Sequence, residues 1–280
     1  MKEKTWFITG ISSGFGRHMA EQLLERGDRV AGTVRDMNSV DDLKKKYADR
    51  LWLARLDVTD IQSVYEVVDL AFKQLDKIDV IVSNAGYGLI GAAEELTIDQ
   101  ITHQVSTNLL GSIHLIRATL PHLRSQGEGR IIQISSSGGQ SAYPGGSLYH
   151  ATKWGIEGFC DAVGQEVAPF NIGLTIVEPG GARTNFRHHG TKLGPKIEAY
   201  AISPAHKVRG GFEDSSSISI GDPEKMVKIM IDSVDQQPAP KRLALGSDAY
   251  YTIHQSLSDR LSELELQKEL AFSTDFSVNG

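Results

Sequence analysis

Three residues of this chain have the types and spacing of a proton-transfer device: Ser136, Tyr149 and Lys153. Tyr149 and Lys153 stand four residues apart in a stretch, 148–168, whose pattern predicts a helix, so their side chains share one face and can meet. A free phenol, with a pKa of about 10, is a poor acid or base near neutrality, and an ammonium held beside it favours the phenolate and lowers that value. Ser136 precedes Tyr149 by thirteen positions and follows the apolar run Arg130-Ile131-Ile132-Gln133-Ile134, which reads as a buried strand. Its hydroxyl is expected to hydrogen-bond the same substrate oxygen. The chemistry that suits such a trio is the interconversion of a carbonyl and an alcohol, with Tyr149 giving or taking the proton.

A helix can also carry a Tyr and a Lys one turn apart as a solvated stripe, so the pair gains its meaning from a second signal at the other end of the chain. There Trp6-Phe7-Ile8-Thr9 reads as a strand, Gly10-Ile11-Ser12-Ser13-Gly14-Phe15-Gly16 as a glycine turn, and Met19, Leu23 and Leu24 as the apolar face of a helix. Glycines in that turn let the backbone approach a pyrophosphate, which would rest on amides at the positive end of the helix. The spacing is G-x-x-x-G-x-G.

These motifs need a scaffold. Strand-like runs near 5–9, 29–34, 51–56, 78–82, 130–135, 172–177 and 242–245 alternate with helix-length amphipathic segments. That alternation predicts an α/β fold: a Rossmann-type, doubly wound, mostly parallel seven-stranded sheet with helices on both faces and a cleft at the strands' carboxyl ends. One domain spanning 1–280 suffices. Residues 180–221, rich in Gly, Pro and Ser, break the rhythm and read as a substrate loop or lid, with a short helix expected over 195–207. A further helix is expected within 247–270, where Ile253, Leu257, Leu261 and Leu264 form a stripe suited to core or subunit contact.

With 40% hydrophobic and 23% charged residues the chain has the composition of an ordinary globule, and its formal charge of −6 argues against a nucleic-acid surface. Lys44-Lys45-Lys46 is the one basic run and reads as the solvated side of a helix. A single cysteine, Cys160, and the lack of a long apolar segment or signal-like start point to a reducing cytoplasm and no membrane span. Cys160 reads as a packed core thiol, and His188-His189 as a loop pair without metal-ligand companions, so no metal is expected.

Taken in order, Thr9-Gly10, Asp57-Val58, Asn84-Ala85-Gly86, Asn108, Ser135-Ser136, Tyr149, Lys153, Pro179-Gly180 and Thr184 resemble the short-chain dehydrogenase/reductase family, in its compact single-domain branch, over residues 1–185. The stretch Glu178-Pro179-Gly180-Gly181-Ala182-Arg183-Thr184 and the ending Gly246-Ser247-Asp248-Ala249 are similar to the 17β-hydroxysteroid dehydrogenase-like group. The resemblance implies that Lys153 hydrogen-bonds the nicotinamide ribose and that Asn108 holds a water linking Lys153 to solvent. It also implies that Asp57 accepts from the adenine amino group with Val58 beside it, and that Asn84, Ala85 and Gly86 flank a ribose. Pro179, Gly180 and Thr184 would then border the nicotinamide. From the residues alone, Asn108 also reads as a polar kink within a helix over 98–123, Asp57 as a cap for the helix starting near Asp60, and Gly86 as a turn residue. Ser83 replaces the asparagine that many members carry first in their motif.

Cofactor choice is read after the second strand. Val34 stands where an acid would bind the ribose hydroxyls of NAD, and Arg35 follows, offering a planar cation for the 2′-phosphate of NADP with Ser12 or Ser13 as helpers. NADP(H) is therefore expected over NAD(H), with Asp36 as the alternative ribose ligand. The expected activity is oxidoreduction of a small ketone or secondary alcohol by a homodimer or homotetramer. The rivals are an epimerase or dehydratase using the same Tyr and Lys, and a non-enzymatic dinucleotide sensor.

Overall fold

The computed structural model describes residues 3–187, 190–214, 216 and 218–276. The chain runs β1 (Thr5–Thr9), α1 (Gly14–Arg26), β2 (Arg29–Val34), α2 (Asp41–Lys46), β3 (Leu51–Arg55), α3 (Ile61–Leu75), β4 (Val80–Ser83) and β5 (Gly88–Ile90). It continues through α4 (Ile98–Val105), α5 (Gly111–Gln126), β6 (Gly129–Ile134), α6 (Ser147–Val167), β7 (Ile172–Pro179), β8 (Thr191–Leu193) and α7 (Pro204–Glu213). It ends with α8 (Pro223–Asp232), β9 (Arg242–Leu245), α9 (Ser247–Glu265) and α10 (Lys268–Phe272).

Seven strands form one sheet in the order β3-β2-β1-β4-β6-β7-β9, every neighbouring pair parallel. Because successive side chains of a strand point to opposite faces, each strand feeds two cores. Trp6 and Ile8 of β1 pack with Met19, Leu23 and Leu24 of α1 and with Val227 and Met230 of α8. Phe7, between them, joins Val68 and Phe72 of α3, Leu115 of α5 and Ile156 of α6 on the other side. The sheet grows outward in both directions from β1 and β4. At that switch point the connections diverge and leave a crevice at the strands' carboxyl ends.

Seven strands lie where the apolar runs place them, within one or two residues. Three local expectations are corrected, and one pairing is new. The helix in 180–221 is α7, starting at Pro204 rather than spanning 195–207: Ser203 caps it by accepting from the His206 amide, and Pro204 occupies a first-turn position where no amide is needed. The helix expected over 98–123 is interrupted by a π-helical turn at Ser106–Leu110 and runs on to Gln126. In the 247–270 stripe only Ile253 is buried, while Leu257, Leu261 and Leu264 are exposed, and the helix breaks between Glu265 and Lys268. Finally, Gly88–Ile90 pairs in parallel with Thr191–Leu193, fastening 180–221 to the body through three-residue strands too short to announce themselves.

Candidate active site

The first wall of the crevice is the turn between β1 and α1. Gly10 and Gly14 have φ of +75° and +59°, which side chains other than glycine's adopt only under strain. Gly16 has a different reason: a Cβ there would lie 2.2 Å from the Gly10 carbonyl oxygen. Ser13 precedes the helix in extended conformation and makes no side-chain cap, so the first amides of α1 keep no side-chain acceptor. Ser12 and Ser13 are exposed beside them, and Phe15 packs against the core below. Asn84 steadies this turn from β4, its Nδ2 donating to the carbonyls of Thr9 at 2.8 Å and Gly10 at 3.0 Å. Thr9 Oγ1 accepts in return from the amides of Asn84 and Ala85. Gly86, next in line, is exposed.

At the far end of the crevice, Arg35 follows β2, exposed, and its charge favours ionisation of Asp57 across the gap. Asp36 is committed to the local turn, accepting from the Asn38 amide at 3.0 Å. Asp57 does not cap α3. Asp60 does, accepting from the Ser63 amide, while Asp57 Oδ1 accepts from the amide and hydroxyl of Thr59. Burial opposes ionisation of Asp57, but those bonds outweigh it and hold its pKa below the ordinary value. Val58 is buried against Gly111, whose missing Cβ would lie 2.9 Å from the Val58 carbonyl oxygen.

The proton-handling trio converges at the carboxyl end of β6. Ser136 is extended, its Oγ accepting from the Gly138 amide at 3.1 Å, and the same hydroxyl stands beside the Tyr149 phenol. Burial, reinforced by neighbouring Tyr143, pushes the phenol's pKa up, with Ser136 opposing. The expected lowering by Lys153 is thus corrected: its Nζ sits 5.8 Å from the tyrosine ring centroid and donates to the Ile134 carbonyl at 2.9 Å. Burial brings Lys153 down to about 8, opposed by the carboxylate of Glu157. Asn108 lies in the π turn, buried, with Oδ1 accepting from the Tyr87 amide at 3.0 Å and Nδ2 donating to its carbonyl at 2.8 Å. Such a turn in a helix is frequently found at functional sites.

Beyond β7, Pro179 ends the strand and the Gly180 amide donates to Leu245. Gly180 has no room for a side chain, since its Cβ would lie 2.2 Å from Oδ1 of Asp248, whose Oδ2 accepts from the Gly181 amide. Thr184 is half-buried, and its hydroxyl accepts from the Phe186 amide. Phe186 in turn tilts toward Tyr149, ring centroids 6.2 Å apart.

Three groups escaped the sequence reading. Glu157 continues the Tyr149–Lys153 stripe by one more turn, accepting from Ser135 Oγ at 2.5 Å and from Gln140. Against it lies Glu178 of β7, whose carboxyl is pushed up to about 7 by burial and by Glu157, with Arg242 opposing. Glu95, its side chain fully buried, accepts from the Ile197 amide and His206 Nε2, and so ties 180–221 to the body. The i+4 spacing could have flagged Glu157; the others depend on partners distant in sequence. His188 and His189 lie outside the described residues. Among the described residues no group of three or more His, Cys, Asp or Glu is placed to hold a metal, and no helix is long and apolar enough to cross a membrane.

The sheet order, with its glycine turn at the switch point, defines a Rossmann-type α/β fold. The family model described as short chain dehydrogenase matches residues 4–192, and the chain belongs to that family of oxidoreductases. It is 37% identical over 252 residues to oxidoreductase BOA17 of Botryotinia fuckeliana, covering 88% of this chain and 90% of that protein. It is 36% identical to the 3-ketodihydrosphingosine reductase of Bacteroides thetaiotaomicron over 72% of this chain and 74% of that protein. A short-chain dehydrogenase solved from Streptomyces avermitilis superposes with a TM-score of 0.91 at 37% identity, over 98% of this chain and 99% of that one. ElxO, solved with NADP bound, shares the fold at 24% identity, with a TM-score of 0.72 over 87% of this chain and 97% of its own.

Proposed function

We propose that the protein is an NADP(H)-dependent reductase or dehydrogenase of a ketone or secondary alcohol, with Tyr149 as the general acid and base. The observation that carries this reading is the meeting of the Ser136 hydroxyl, the Tyr149 phenol and Lys153 at the carboxyl end of β6. The residues present fit a phosphorylated dinucleotide. Gly16 lets α1 close on the Gly10 carbonyl, the space beside Gly14 is open, the amides of α1 carry no side-chain cap, and Arg35 is exposed while Asp36 is engaged elsewhere.

In this reading Gly10, Ser12, Ser13, Gly14, Phe15 and Gly16 hold the pyrophosphate, Arg35 the 2′-phosphate, and Asp57 and Val58 the adenine. Asn84, Ala85 and Gly86 border the ribose, and Pro179, Gly180 and Thr184 the nicotinamide. When bound, the reduced cofactor supplies a hydride to the carbonyl carbon. Tyr149, kept protonated by burial, donates its phenolic proton to the substrate oxygen, and in reverse its phenolate deprotonates the alcohol. Ser136 donates a hydrogen bond to that oxygen as charge develops. Lys153, whose Nζ is steadied by the Ile134 carbonyl, holds the ribose. Asn108, anchored in the π turn with one amide hydrogen and one lone pair taken up by Tyr87, holds the water that links Lys153 to solvent.

Half-exposed Leu110 and Trp154, on the π turn and α6, support a homodimer or homotetramer, to be checked by light scattering. The single cysteine supports a cytoplasmic location, to be checked by cell fractionation. The activity test is a panel of 3-ketodihydrosphingosine, a steroid 17-ketone and a small cyclic ketone, each with NADPH and with NADH, followed at the reduced-nicotinamide absorbance. Turnover with NADPH, lost in Tyr149→Phe, is the expected result. Undiminished turnover in that variant removes Tyr149 as the acid, and a clear preference for NADH moves the ribose contact to Asp36.

A further inference from the structure

His150 follows Tyr149 directly and is 4% exposed, yet both of its ring nitrogens are engaged. Nδ1 lies 2.9 Å from the Gly138 carbonyl oxygen, and Nε2 accepts from the Tyr143 amide at 3.1 Å. A carbonyl can only accept and an amide can only donate, so the two partners select the neutral imidazole with its proton on Nδ1. The site is shaped for that ring. A Cβ on Gly138 would come within 2.8 Å of Nδ1 and one on Gly146 within 2.7 Å of Nε2, while the Tyr143 ring stands edge-on at 4.2 Å between centroids.

What the ring joins is the substrate side of the site. Gly138 belongs to the turn whose amide meets Ser136 Oγ, and Tyr143 belongs to the loop beside the phenol. A second ring proton would set N–H against the Tyr143 N–H. Burial works the same way, holding the imidazole's pKa below its ordinary value, with the Gly138 carbonyl opposing. The titratable groups facing the ring are Tyr143 and Tyr149, both held protonated by burial, with the Arg187 guanidinium acting on Tyr143 from segment 180–221.

We propose that His150 is a positioning residue: as a neutral imidazole it holds the Ser136–Gly138 turn and the Tyr143 loop against the Tyr149 phenol, and on protonation it releases the Tyr143 loop. The proposal rests on the reading of Tyr149 as the acid. It is tested first without substrate, by two-bond 1H–15N spectra of the 15N-histidine-labelled protein with NADPH. The expected result is an Nδ1-protonated His150 at neutral pH that titrates below about 6.5, the ordinary histidine value. An Nε2-protonated ring, or titration at or above that value, overturns the proposal.

Turnover then separates positioning from folding. His150→Leu, which loses both bonds, should lower kcat about tenfold while NADPH affinity stays at the parental value. His150→Gln can donate and accept at the same two places but cannot titrate, so it should recover most of kcat and lose the acid limb of the pH profile. A parental kcat and pH profile in His150→Leu overturns the proposal, as does an unchanged acid limb in His150→Gln. Full turnover by Tyr149→Phe, with these His150 results as expected, would instead sink the acid assignment alone.

Discussion

Between Ile172 and Pro179 the chain barely touches water, whereas a few residues later, in 180–221, Ile202 is 98% exposed and Ile218 73%. The sheet is held by two continuous apolar cores, one on each face. Segment 180–221 is held to the body by discrete polar fastenings: the short β5–β8 pairing, Gln100 on the Leu193 carbonyl, and the buried Glu95. An apolar core spreads its stabilisation over many contacts and tolerates the loss of one. A polar fastening concentrates it, so removing one partner leaves a buried group unsatisfied. In the proposed reading the cofactor half therefore sits on the part that cannot easily move, the floor, and the substrate is covered by the part that can detach at a few points.

The comparison breaks if substitutions in the two regions have the same kinetic signature. The largest effect belongs to the floor: Tyr149→Phe should lower turnover by about 10²–10⁴-fold, the range for a lost general acid, with NADPH affinity unchanged in a fluorescence titration. Arg35→Ala, on the same floor, should weaken NADPH binding about tenfold to a hundredfold, because a charge-assisted hydrogen bond contributes roughly 1.5–3 kcal/mol. NADH binding in that variant should change far less. Equal losses for the two cofactors would assign Arg35 to the fold or the adenine.

Glu95→Gln tests the cover. It weakens the link to His206, and the expected outcome is a rise in KM for the ketone of about tenfold, with NADPH affinity unmoved. A loss confined to NADPH binding would mean that 180–221 serves the cofactor instead. The smallest effect sharpens the contrast through pH. Glu178, in the body, has a folded pKa near 7, above the ordinary value of about 4.3, so its contribution to stability is present below that value and is lost as pH rises through 7. Glu95 runs the other way. Burial favours its neutral form, but His206 and the Ile197 and Ala92 amides outweigh burial and bring it down to about 2. Its contribution is present above about 4.3 and lost as pH falls through about 2. Melting curves from pH 4 to 8 should show Glu178→Gln gaining stability relative to the parent as pH rises, and Glu95→Gln losing ground as pH climbs from 4. Parallel curves for the two variants would remove the distinction.

The floor was legible in the sequence because parallel strands buried on both faces must be apolar along their length, as in Trp6-Phe7-Ile8 and Ile131-Ile132. The glycine turn and the Tyr149–Lys153 spacing were legible for a related reason: backbone approach and the helical repeat leave local marks. The cover leaves few. Gly88–Ile90 and Thr191–Leu193 find each other across a hundred residues with three positions apiece, and no local pattern records that. Ser203-Pro204, a capping hydroxyl followed by a first-turn proline, could have marked the start of α7, but the helix was expected from 195. His150 and Glu178 were silent because their importance lies in partners on other elements, Gly138 and Tyr143 for one and Glu157 and Arg242 for the other.

Cys160 is the chain's one cysteine and is 1% exposed in the core between α6 and the sheet. Burial, together with Glu157 and Asp161, pushes its thiol up to about 12, so at neutral pH almost no thiolate is present for an alkylating reagent to meet. With its sulfur also buried, the native protein is expected to be silent toward maleimides and nitroxide thiosulfonates. A cysteine introduced at exposed Lys207 on α7 would be the sole labelled position, and its spectrum would report the motion of that helix against a blank background.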